Sequence, residues 1–143
     1  MSEKPPDAVV ELTWQGATRF STRLGGFDLA LDGEREAGFS PVQLLTASLA
    51  ACMAMDVASI LEKGRTRLEA LAARLEAERR QTHPRRLVRV RLHFTVTGEV
   101  APSRVERAIA LSRETYCSVW HSLRPDLTFE TSFEIRPGDG EPK

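Results

Sequence analysis

The chain has 143 residues and 15.9 kDa, 41% hydrophobic and 28% charged, which suits one domain able to bury roughly 68% of its unfolded surface. Twenty Lys and Arg balance twenty Asp and Glu, so no net field draws in nucleic acid or an anionic membrane, and the ordinary apolar share excludes disorder throughout. Two cysteines do not make a disulfide scaffold, and MSEKPPDAVVEL has no apolar h-region behind a basic start, so the reducing cytoplasm is the expected compartment.

Residues 9–14 (VVELTW) are β-rich, and Gln15-Gly16 punctuates them. Gly25-Gly26 breaks the next run, and Phe27, Leu29 and Leu31 then alternate with Asp28 and Ala30 up to an Asp32-Gly33 turn. The first 40 residues therefore read as a three-stranded meander. Ser40-Pro41-Val42-Gln43 places a capping serine, a proline suited to the first helical position and a glutamine three residues on. The helix is expected to run to about Lys63, with Gly64 in the left-handed C′ conformation. Across residues 44–58 it is apolar or small almost all round, Asp56 being its one charge. A helix of that kind is buried on every side, here by sheet or by a second subunit. The uncharged stretch 37–55 is the nearest thing to a membrane span, and its Gly38, Ser40, Pro41, Gln43, Thr46 and Ser48 count against one.

Residues 68–80 are rich in Leu, Ala, Glu and Arg, which favours helix by propensity, yet Leu71, Ala73, Leu75 and Ala77 recur at the strand period. Val88, Val90, Leu92, Phe94 and Val96 alternate with Arg89, Arg91, His93, Thr95 and Thr97, an antiparallel strand with one wet face. Both runs are taken as strands, joined by a turn around His83-Pro84. A second helix is expected to open at Ser103, with Glu106 completing a capping box. Its buried stripe would be Val105, Ala108, Ile109, Ser112, Tyr116, Val119 and Leu123, and Pro125 stops it. Leu127, Phe129, Phe133 and Ile135 mark a last strand before the polar tail Gly138-Asp139-Gly140-Glu141-Pro142-Lys143, expected to be disordered. The order is βββ-α-ββ-α-β, a single α+β domain over residues 1–143 with an ordered core at about 9–136.

Cys52 lies about twelve residues into the central helix, too far from its N-terminus for the helix dipole to lower its pKa. Cys117 follows 65 residues later on the second helix, where Arg113 and His121 at i−4 and i+4 would share its face and favour a thiolate. Each cysteine alone reads as a small buried hydrophobe; two helices in one core are what could bring the pair together. Asp56, one turn after Cys52, is either a satisfied core carboxylate or the partner of an arginine. Cys117 and His121 have helical metal-ligand spacing, but there is no Cys-x-x-Cys or His-x-x-x-His pair, and structural zinc wants four clustered ligands, so no metal site is expected. Phosphate-binding glycine loops and a Gly-x-Ser-x-Gly elbow are missing. Arg85, Arg86, Arg89 and Arg91 form a basic patch without interleaved aromatics, the pattern of a solvated face.

SPVQLLTASLAAC leading into MDVASILEKGR resembles the cysteine helix of the OsmC/Ohr superfamily of organic hydroperoxide reductases, closest to its YhfA-type branch. ETYCSV resembles that family's second-cysteine helix, and RLEAERRQTHPRRLVRVRLHFTVTG its intervening strand pair. The likeness covers roughly residues 9–135. It implies an α+β fold whose chains intertwine as a homodimer, with Cys52 as the peroxidatic thiolate and Cys117 as the resolving thiol. Cys52 would attack a small organic hydroperoxide and become a sulfenic acid. Cys117 would condense with it to a disulfide, and an external dithiol would restore both, with no cofactor. The family's peroxidases carry a glutamate ten residues before the first cysteine, where this chain has Val42, and an arginine in the first hairpin turn. Here that turn reads Gln15-Gly16-Ala17-Thr18-Arg19, with Arg19 out of register. The alternative implied by these departures is an OsmC-fold redox sensor or ligand-binding protein without efficient turnover.

Overall fold

The computed structural model describes residues 4–139. It divides into two compact units, the first ending at Leu45 and the second beginning at Thr46.

The first unit is an antiparallel meander of β1 (Val10–Trp14), β2 (Arg19–Leu24) and β3 (Phe27–Asp32), as the punctuation of the sequence predicts. Leu24 pairs with Phe27 across a two-residue turn in which Gly25 and Gly26 have φ of 56° and 90°. That turn demands two left-handed residues, which glycine supplies without steric cost. After β3 the chain folds round the carboxylate of Asp32. It accepts bonds from the N–H groups of Glu34, Glu36 and Ala37 at 3.0, 3.2 and 3.0 Å and from the Thr18 hydroxyl at 2.9 Å. The backbone donors of Glu34 and Ala37 lead in holding this acid well below the usual carboxylate range, against the opposing effect of its burial.

Helix α1 (Pro41–Lys63) begins where expected, with both halves of the capping box formed: Ser40 N–H donates to Gln43 Oε1 at 3.0 Å and Gln43 N–H to Ser40 Oγ at 3.2 Å. Its end differs from expectation. Arg65, at φ 60°, takes the left-handed position, while Gly64 does not, and Thr66 N–H closes on Leu61 O at 3.3 Å in a Schellman-type cap. Gly64 instead gives room, since a Cβ there would sit 2.8 Å from Arg104 Nη1. By length and composition alone α1 is long and apolar enough to cross a bilayer, a test that core helices also pass. In the fold its stripe of Leu49, Met53, Val57 and Leu61, spaced four apart, lies in the core.

The second unit holds a sheet in the order β4 (Arg67–Arg79), β5 (Leu87–Glu99), β6 (Thr128–Arg136). β4 and β5 are antiparallel, with Leu71 opposite Val96 and Leu75 opposite Leu92, so the alternating pattern overrides helix propensity in β4. β6 runs parallel to β5, which requires a crossover, and α2 (Pro102–Leu111) lies in it. The core combines the α1 stripe, Val90, Leu92, Phe94 and Val96 of β5, and Val105, Ala108 and Ile109 of α2. Near the end of β5, Gly98 at φ 133° faces the β4 irregularity between Leu68 and Ala70; a Cβ there would lie 2.1 Å from Arg67 O. The outer face of β5 is polar, as expected, and His93 bonds Ser132 Oγ at 2.8 Å and Glu134 Oε1 at 3.1 Å there.

The expected second helix is not continuous. α2 begins after Ala101, with Pro102 in its first turn and no side-chain cap, so the Ser103–Glu106 box does not form the start. A π-turn follows over Ser112–Tyr116, Cys117 opens to φ −75° and ψ 95°, and α3 (Ser118–His121) adds one turn. Tyr116 is exposed as a result, not part of a buried stripe. Of the expected polar tail, residues 140–143 lie outside the described residues.

Candidate active site

The second unit brings both cysteines together. Cys52, half-buried in mid-α1, and Cys117, fully buried at the helix break, present their sulfurs with a carboxylate oxygen of Asp56 so that the three atoms lie within 4.8 Å of one another. Both thiols are free.

The break in the second helix sets the position of Cys117. Its N–H donates to Ser112 O at 2.8 Å, closing the π-turn, and its sulfur accepts from the Trp120 N–H at 3.4 Å, capping α3. Burial pushes the Cys117 thiol up to about 11. The Trp120 N–H opposes that shift, while the hydrogen bond with Cys52 and the negative charges of Cys52 and Asp56 add to it. Cys117 is thus held as a thiol beside Cys52.

The helix break also separates residues that a continuous helix would align. Arg113 is not turned toward a thiolate; its guanidinium lies 4.9 Å from the Phe129 ring centre and 5.6 Å from that of Trp120, and the two rings are 4.6 Å apart. His121 is exposed at the end of α3. Arg19 is engaged by Asp32 and Glu36 of its own unit, at 3.6 Å each. Val42 is in α1, ten residues before Cys52. The partner of Asp56 is not an arginine but Ser112, whose hydroxyl donates to Oδ2 at 2.7 Å. The sequence puts Ser112 in the buried stripe of the second helix, and the partner of its hydroxyl is not evident from the sequence. A buried hydroxyl needs an acceptor, and Asp56 is the one charge in the middle of the facing helix.

Two sulfurs and one carboxylate oxygen fall one protein donor short of a closed structural zinc site. They do suit thiol chemistry: an accessible sulfur on a regular helix, and a second within a small movement of the ~2.05 Å disulfide length.

The OsmC-like protein family model matches residues 32–132, which include both cysteines, Asp56 and Ser112. The chain is 34% identical over 123 residues to Protein YhfA of Escherichia coli strain K12, covering 85% of this chain and 92% of that one. Among solved structures, a hypothetical protein from Aquifex aeolicus VF5 superposes with a TM-score of 0.87 at 27% identity, over 94% of this chain and 100% of the other. The fold is also that of a Legionella pneumophila protein described as an organic hydroperoxide resistance protein OsmC, at TM-score 0.69 and 20% identity, covering 93% and 100% of the two chains. A mixed α+β fold with two three-stranded sheets, paired cysteines from the helical segments and a matching family model lead to one conclusion: this chain belongs to the OsmC-like protein family.

Proposed function

We propose that the protein is a thiol-dependent peroxidase that reduces organic hydroperoxides to alcohols. The observation that carries this reading is the convergence of the chain's two cysteines, 65 residues apart, to sulfurs within 4.8 Å. Cys52 is the more accessible sulfur and takes the peroxidatic role. It attacks a peroxide oxygen, the O–O bond breaks, the alcohol leaves, and Cys52 becomes a sulfenic acid. Cys117, kept as a thiol, condenses with that sulfenate to a disulfide and releases water, and an external dithiol returns both to thiols. No cofactor enters the cycle.

The working form is a homodimer in the cytoplasm. Support for a second copy comes from apolar side chains that one chain leaves bare: Phe27 is 81% exposed and Met55 70%, with Trp14 and Leu12 also uncovered. Large apolar side chains left this bare mark an interface.

The test uses reduced protein, cumene hydroperoxide and a dithiol. Peroxide consumption is expected to stop in Cys52→Ser, and Cys117→Ser is expected to accumulate sulfenic or over-oxidised Cys52. Intact mass after one equivalent of peroxide should fall by ~2 Da in the wild type, the loss of two hydrogens on disulfide formation. An unchanged mass, or stepwise oxygen addition, overturns the reading.

Val42 at the position of the family's glutamate, and Arg19 held by Asp32 and Glu36, favour a second reading: a redox-sensing or ligand-binding protein of the same fold. It predicts one round of disulfide formation, with steady-state peroxide loss no faster than in buffer.

A further inference from the structure

We propose that Asp56 accepts the proton of Cys117 as that sulfur attacks oxidised Cys52, with Ser112 as the positioning residue that aims the carboxylate. This rests on the dithiol reading above and adds a residue to its second step. Attack on sulfur needs a thiolate, yet Cys117 is completely buried and its environment keeps the proton on. Something close must take that proton when the bond forms.

The groups that surround Cys117 leave one candidate among the described residues. From α1 come Cys52 and Asp56; from the π-turn, the Ser112 hydroxyl; from α3, the Trp120 N–H, a donor. Arg113 is occupied by the two aromatic rings and His121 is exposed. Asp56 has a carboxylate oxygen within 4.8 Å of both sulfurs. Its Oδ2 accepts from Ser112, whose carbonyl accepts from the Cys117 N–H, so one residue ties base and nucleophile together. A small approach brings a thiol and carboxylate placed in this way into hydrogen-bond range.

The step balances. The Cys117 sulfur forms a bond to the Cys52 sulfur as the S–O bond of the sulfenic acid breaks; Cys117 is oxidised and the Cys52 sulfur reduced to the disulfide level. The Cys117 proton moves to Asp56 and then to the departing hydroxide, which leaves as water. A carboxylate that takes up the proton also removes its own negative charge from beside the two sulfurs.

The test follows Cys117 attack without depending on peroxide. A nitroaromatic disulfide is added to the reduced protein so that Cys52 becomes a mixed disulfide, and Cys117 then displaces a second equivalent of the coloured thiolate. Asp56→Asn is expected to slow that second release about 10²–10⁴-fold relative to the first, the usual range for a positioned base. In Asp56→Asn the second release should rise tenfold per pH unit through neutrality, because only spontaneously formed thiolate reacts, while the wild type stays nearly flat. Asp56→Glu should recover part of the rate, and Ser112→Ala, which keeps the carboxylate but frees it, should fall between. Second release in Asp56→Asn at the wild-type rate and pH profile overturns the proposal, as does a wild-type rate in Ser112→Ala together with a dead Asp56→Glu. Slow release in the variant from a wild type inert to cumene hydroperoxide would sink the peroxidase reading and leave the role of Asp56 standing.

Discussion

Cys52 sits within a helix and Cys117 at a break between two helical turns, and the two stretches are built differently. α1 runs 23 residues without interruption, and Met53 and Leu49 beside Cys52 are completely buried. The stretch from Pro102 to His121 passes from α to π winding, opens at Cys117 and closes into one more turn. A sulfur on a regular, packed helix moves with the core. One at a helix break moves with a few backbone torsions, since π-turns and short terminal helices make few of the bonds that resist local opening. In the proposed cycle, closing a gap of up to 4.8 Å to a bond of ~2.05 Å would therefore fall to the Cys117 side. In that cycle the sulfur on the continuous helix would meet the peroxide, and the one at the break would move to it.

The largest effect expected from this contrast is on stability. Met53→Ala should lower the unfolding free energy by about 2–5 kcal/mol, as for a large buried side chain removed from a core that collapses incompletely. Urea denaturation of the reduced protein measures it. A loss below about 1 kcal/mol would remove α1 as the fixed element of the pair.

A smaller effect is the pH dependence that Cys117 confers. The folded chain holds the Cys117 proton up to about 11, whereas the ordinary thiol loses it near 9.0. Below pH 9.0 both folded and unfolded states are protonated and the contribution is complete. Between pH 9.0 and about 11 the unfolded chain has lost the proton and the folded chain keeps it, so stability falls as pH rises. Cys117→Ala should flatten this alkaline slope. Parallel slopes in variant and wild type would show that Cys117 is not the sequestered thiol.

How much of this was legible depends on how local the cause is. The start of α1 follows from Ser40, Pro41 and Gln43, which act within one turn, and the meander follows from turn residues such as Gly25-Gly26. β4 could be read as strand because Leu71, Ala73, Leu75 and Ala77 keep the period of its partner, against propensity. The break at Cys117 was hidden because Val105, Ala108, Ile109 and Ser112 keep a helical period right up to it. A π-turn then adds a residue to the winding, and a cysteine is not a usual cap. The Asp56–Ser112 bond joins residues 56 apart, and no local pattern encodes it. That the cysteines meet was an expectation from resemblance; their spacing alone left it open.

The smallest effect concerns how each of the two stretches begins. α1 is closed by side chains in both directions between Ser40 and Gln43, while α2 starts with Pro102 and no side-chain bond to its first turn. Ser40→Ala should cost about 1 kcal/mol, since it leaves the Gln43 N–H without its side-chain acceptor. Ser103→Ala, one residue inside α2, should change stability by less than about 0.5 kcal/mol, because proline at the first position already removes one of the donors a cap would serve. Comparable losses in the two variants would mean that Ser103 caps in solution after all. The α2 stretch would then be anchored at its start as firmly as α1, and the freedom assigned to Cys117 would have to come from the π-turn alone.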